Sequence, residues 1–169
     1  MVSSASKAIA QAILFYIVWF LVVYWMRDGQ LEIYAIGLQI FFILIFLKKF
    51  EIRFLFFSII LGSIIDSMPV ALGLISFPST KFYLGVYPSW MALMWGVFAT
   101  TFSLSLAWLH NKKVLQVLFG SIGGSLSLYA AYGIGALDFP SGITAAILFC
   151  SIEWGILVPI LFSMHRRLQ

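Results

Sequence analysis

The sequence predicts an all-α fold: a polytopic membrane protein forming a single transmembrane domain over residues 1–169, with six transmembrane helices and both ends in the cytoplasm. Three observations predict it. Hydrophobic residues make up 63% of the chain and charged residues 9%, against roughly 45–50% and about 25% in soluble domains. Six apolar stretches stand at or near the length that crosses a bilayer, approximately 8–26, 31–47, 52–76, 88–109, 114–134 and 143–163. Lys and Arg fall between these stretches with a strong bias to one side.

The first stretch, Ala8 to Met26, follows Lys7 and has the length of ~20 residues that spans a bilayer. It ends at Arg27-Asp28 with no small-x-small cleavage site, so it reads as a retained helix and not a signal peptide. The second carries an uncharged polar residue, Gln39, which should hydrogen-bond a neighbouring helix. The third follows Lys48 and Lys49, has Arg53 at its start and contains Asp66 and Pro69. The longest loop, 77–88, leads to the fourth stretch. A tight turn, His110-Asn111-Lys112-Lys113, joins the fourth to the fifth, and the sixth runs out into His165, Arg166 and Arg167.

Backbone groups in hydrocarbon must bond within a helix or a closed barrel. These runs are too continuously apolar for the alternating strands of a barrel. With the N-terminus inside, Lys7, Lys48, Lys49, Arg53, Lys112, Lys113, Arg166 and Arg167 face the cytoplasm, and only Arg27 and Lys81 face outward. That asymmetry sets the orientation by the positive-inside rule. The net charge of +4 is thereby a topology signal, and nucleic acid is excluded as a partner.

Small residues mark where helices approach one another in lipid. Gly96, Thr100, Ser103 and Ala107 in the fourth stretch, and Gly120, Gly124, Ser127 and Ala131 in the fifth, each draw one stripe down a helix face. The expectation is a closely packed antiparallel pair of the fourth and fifth helices, with Gly62, Gly96, Ser103, Gly120, Gly124 and Ser127 at helix contacts.

Asp66 and Glu153 are the acids well inside apolar spans. An ionisable residue at that depth costs at least about 2.5–3.5 kcal/mol and marks a functional site by default. The other reading is a carboxyl that merely joins two helices. Each acid precedes a proline in its own stretch, Pro69 and Pro159, which frees a backbone carbonyl one turn back. Tyr87, Trp90 and other outer aromatics fit an interfacial belt or a pocket mouth, whereas Trp19, Trp95 and Trp154 lie deeper. No catalytic residue, metal ligand set or cofactor motif is expected: one Cys and two His give no zinc spacing, and Ser103 and Cys150 show no base at membrane depth.

The segments Leu61–Phe77, Trp95–Leu109, Gly120–Tyr129 and Glu153–Pro159 resemble a bacterial inner-membrane family catalogued as domain of unknown function 2878. Asp66, Gly73, Trp95, Thr100, Thr101, Trp108, Tyr129, Gly133, Glu153, Trp154 and Pro159 match its recurring positions. This chain has Gly124-Ser125 where that family commonly has Gly-Pro. The resemblance implies a multi-pass protein of the bacterial inner (plasma) membrane with no established activity, and a tie to lipid-modifying enzymes. In size and in the segment Gly62–Asp66–Gly73 the chain is more loosely similar to rod-shape proteins of the MreD type and to substrate-binding subunits of energy-coupling-factor transporters.

Two functional readings follow. One is a non-enzymatic subunit that binds membrane lipid or a small amphiphile and works with a membrane protein partner. The other is a transporter or substrate-capture subunit that uses Asp66 and Glu153. A membrane-embedded lipid-modifying enzyme is the third and weakest. The binding residues predicted are Asp66, Glu153, Trp95, Thr100, Tyr129 and Trp154.

Overall fold

The structure is a computed structural model that describes residues 4–168. Six helices form an all-α bundle: α1 (Ser4–Met26), α2 (Glu32–Phe46), α3 (Ile52–Ala71), α4 (Ser89–Ala99), α5 (Lys113–Ile134) and α6 (Ile143–Leu168). A short hairpin, β1 (Tyr83–Leu84) with β2 (Tyr87–Pro88), precedes α4.

The contacts at the two ends show that the helices alternate in direction. At one end the Ser79 hydroxyl donates to the Arg27 carbonyl at 2.9 Å, and Glu32 accepts from the Lys81 and Phe82 amides. Ser76 and Asp138 exchange backbone bonds there too. At the other end Glu51, Ser103, His110 and His165 meet, amid Lys48, Lys49, Lys112, Lys113, Arg166 and Arg167. These are called the hairpin end and the basic end below.

The expected six crossings are corrected. Among the described residues four helices are long and apolar enough to cross a membrane: Ser4–Met26, Lys49–Ala71, Lys113–Ile134 and Ile143–Leu168. With 15 and 11 residues, α2 and α4 reach only about 22 and 16 Å at ~1.5 Å per residue. A hydrocarbon core is about 30 Å thick. The six-helix, both-ends-inside scheme therefore gives way to a six-helix bundle with four helices of spanning length. Hydropathy counts apolar residues whether or not they are helical. The stretch 88–109 is apolar throughout, but its helix stops at Ala99, and the chain continues in tight turns such as Thr101 N–H to Phe98 O. Likewise α3 ends at Ala71, and Gly73 turns the chain at φ +68°.

Irregular backbone inside a bundle must find its hydrogen bonds within the protein. Gln11 of α1, almost wholly buried, supplies two: its Nε2 donates to the Thr100 carbonyl at 2.9 Å and its Oε1 accepts from the Ser105 amide at 3.0 Å. Gln39 donates to the Trp90 carbonyl at 2.7 Å, and Gln116 donates to the Leu109 and His110 carbonyls. Two buried amide side chains thus tie the ends of α4 to α1 and α2, and a third holds the turn at Leu109 and His110 onto α5.

Helix pairing is also corrected. The fourth and fifth helices do not form the close antiparallel pair. The main packing partners of α4 are α3 and α2, and α5 packs on α6. The π-helical segment Phe119–Gly124 within α5 lies against α6, where a Cβ on Gly120 would overlap the Trp154 carbonyl oxygen. Gly96 instead faces α2 and α3, where a Cβ would lie 2.9 Å from Ile43 Cδ1 and 3.0 Å from Ile59 Cδ1. Between α4 and α5 the bundle is open.

Candidate functional site

Asp66 sits on the inner face of α3, 5% exposed. Three side chains from three elements donate to its carboxylate. Tyr87 Oη donates to Oδ2 at 2.7 Å and Trp95 Nε1 to Oδ2 at 2.8 Å, while Trp154 Nε1 donates to Oδ1 at 2.9 Å. The hairpin, α4 and α6 therefore converge on one residue of α3. The two indoles are in contact, with ring centroids 4.9 Å apart.

Glycines seat both indoles. A Cβ on Gly62, one turn before Asp66, would overlap the Trp95 ring, and a Cβ on Gly124 would overlap the Trp154 ring. Small residues that suggest helix–helix contact in the sequence are here recesses for tryptophan side chains.

The opening between α4 and α5 is a cavity of about 370 Å³, within the range of pockets that take small molecules. Its walls are Phe15, Tyr16 and Trp19 from α1, Trp90, Met94, Trp95 and Phe98 from α4, Phe119, Gly123 and Ser127 from α5, and Trp154 from α6. Asp66 lines it as well, and so brings a carboxylate to an otherwise largely apolar, aromatic space. A second void, of about 10 Å³, lies against Asp66, Tyr87 and Cys150.

Both oxygens of Glu153 are sealed from the surface and have no hydrogen-bond partner. No basic side chain among the described residues pairs with Asp66 or Glu153.

Of the residues expected in a binding site, Asp66, Trp95 and Trp154 come together at the cavity, whereas Glu153, the residue before Trp154, is not among its lining residues. Thr100 is buried at the end of α4, where its hydroxyl donates to the Val97 carbonyl at 2.8 Å. Tyr129 points away from the bundle, 56% exposed. Ser127, expected at a helix contact, lines the cavity with its hydroxyl donating back to the Gly124 carbonyl.

Sequence reasoning missed Tyr87, whose position at the outer edge resembles a belt residue and whose bond to Asp66 depends on the hairpin folding inward. It also missed His165. That side chain is 1% exposed, with Nε2 3.1 Å from Ser103 Oγ and 3.6 Å from Glu51 Oε1. Ser103, Glu51 and His165 have the residue types of a nucleophile relay but not its geometry. Serine and acid both meet Nε2, whereas a relay needs them on opposite ring nitrogens. His110 stacks near His165, with centroids 4.9 Å apart, and its Nε2 donates to the Phe102 carbonyl at 3.2 Å. Burial holds His110 below the ordinary histidine value, and the charges of His165 and Arg166 act in the same direction.

Residues 8–160 match the model of a family described as a protein of unknown function (DUF2878), and the chain belongs to that family. No curated protein and no protein of solved structure matches it.

Proposed function

We propose that this DUF2878 member is a substrate-capture protein of the bacterial inner membrane, which holds a small amphiphile in the cavity between α1, α4 and α5 and presents it to a membrane protein partner. The observation that carries this reading is Asp66: a carboxylate fixed by three donors at the wall of a cavity of about 370 Å³. Preorganised polar groups in an aromatic pocket are what orient a guest. A carboxyl serving only to join helices needs neither two glycine-seated indoles nor an open space beside it. The sequence supplies no nucleotide-binding loop, so any transport step draws its energy from a partner or an ion gradient.

The test is native mass spectrometry of protein gently extracted from its own membranes. Gly123 lines the cavity, and a Cβ there meets nothing within 4 Å, so Gly123→Phe places a ring in the space. Wild type should retain a small molecule that Gly123→Phe lacks at equal folded yield. An empty wild type, or equal loading of the two, contradicts the reading.

A further inference from the structure

The chemistry of the cavity wall narrows the class of its occupant, an argument that rests on the capture reading above. The Asp66 carboxylate offers about four lone-pair sites, and Tyr87, Trp95 and Trp154 fill three of them. The remaining acceptor capacity is on Oδ1, and the residue lines the cavity. All three donors are neutral, so they orient the carboxylate without supplying a counter-charge. Glu153, which precedes Trp154 in the chain and has both oxygens unpartnered, adds a second buried acid and no cation.

The same cavity wall carries ring systems, among them Trp19, Trp90, Trp95, Phe98 and Trp154, set among aliphatic and small residues. Ring faces attract cations, and more strongly where water is excluded. An anion placed here meets a carboxylate and electron-rich rings. A neutral guest leaves a buried acid without a counter-charge. A cation satisfies both features at once.

We propose that the occupant is an organic monocation with an apolar body, an amine or quaternary ammonium, with Asp66 as its counter-charge and the tryptophans as its cage. No Lys or Arg lines the cavity, so nothing there receives the phosphate of a lipid, and the cation is a free molecule and not a lipid head group.

The test compares two isosteric probes by tryptophan emission, with the protein in phosphatidylglycerol nanodiscs: benzyltrimethylammonium and its uncharged carbon analogue, neopentylbenzene. With partition into protein-free nanodiscs subtracted, wild type should bind the cation at least about tenfold more tightly than the neutral probe. Asp66→Asn should abolish that preference while still binding neopentylbenzene, which also shows that the variant is folded. The wild-type ratio stands as the test even if Asp66→Asn does not fold. Equal or tighter binding of neopentylbenzene by wild type overturns the cation assignment and leaves the capture reading intact. Failure of both probes counts against both. Adding soluble glycerophosphocholine to the phosphatidylglycerol nanodiscs should leave the cation affinity unchanged, and competition by it assigns the site to a choline head group instead.

Discussion

Gly124 lies flat against the indole of Trp154, so closely that a Cβ would overlap its six-membered ring, and that indole N–H donates to Asp66 at 2.9 Å. A glycine on α5 thereby sets the position of a donor on α6 that aims a carboxylate on α3. The same arrangement recurs with Gly62 and Trp95.

Gly124→Ala should therefore be destabilising although alanine favours helix. Overpacking against a rigid ring costs about 1–3 kcal/mol, more than the ~1 kcal/mol that alanine gains over glycine in a helix. Gly123→Ala, one residue away and facing open space, should be neutral or stabilising. Thermal unfolding in a mild detergent checks the pair, and equal melting points for the two variants would exclude the seating role.

Replacing Trp95 by Phe keeps much of the ring and removes one donor to Asp66. Hydrogen bonds to a charged group are worth about 1.5–3 kcal/mol. Because Trp95 and Trp154 touch each other and donate to the two oxygens of one carboxyl group, a double-mutant cycle with Trp154→Phe should show non-additivity of at least about 0.5 kcal/mol. Strict additivity would mean that the two indoles act on Asp66 independently.

Much of this arrangement is legible in the sequence residue by residue. Asp66 and Glu153 stand out because charge in an apolar run is costly, and Gly62 and Gly124 because small residues in such runs permit close approach. Their assembly is not legible. Hydropathy and spacing do not distinguish a glycine that admits a helix from one that admits an indole. Nor do they reveal that α4 stops at Ala99 while the apolar run continues to Leu109, since turn and helix residues there have the same character. Gln11 shows the remaining gap: a lone glutamine in α1 gives no hint of the Thr100 and Ser105 backbone groups that it satisfies from across the bundle.

Gln11→Leu should preserve the bulk of the side chain and leave the Thr100 carbonyl and the Ser105 amide without these partners. Each such buried group costs about 1–3 kcal/mol. Because these bonds tie α1 to the end of α4, hydrogen exchange should rise in residues 100–106. Unchanged exchange there would show that other groups hold the turn.

At the basic end, His110 is held below its ordinary value of 6.5, so folding favours its neutral form. Its contribution is fully present above about pH 6.5 and is lost as the pH falls through the lower folded-state value. Melting temperature should fall between pH 7 and pH 5, and His110→Gln, which cannot titrate, should reduce that fall. An identical pH dependence in the variant would remove His110 from the account.

The central claim is that Asp66 faces an occupant of the cavity. The most direct measurement is a cryo-electron microscopy map of the protein purified from its own membranes and bound to a rigid fiducial. The account predicts non-protein density between α1, α4 and α5, bounded by Trp95 and Trp154 and in contact with Asp66. A map in which α1 and α5 close over an empty, collapsed space, with Asp66 bonded only to Tyr87, Trp95 and Trp154, would contradict it.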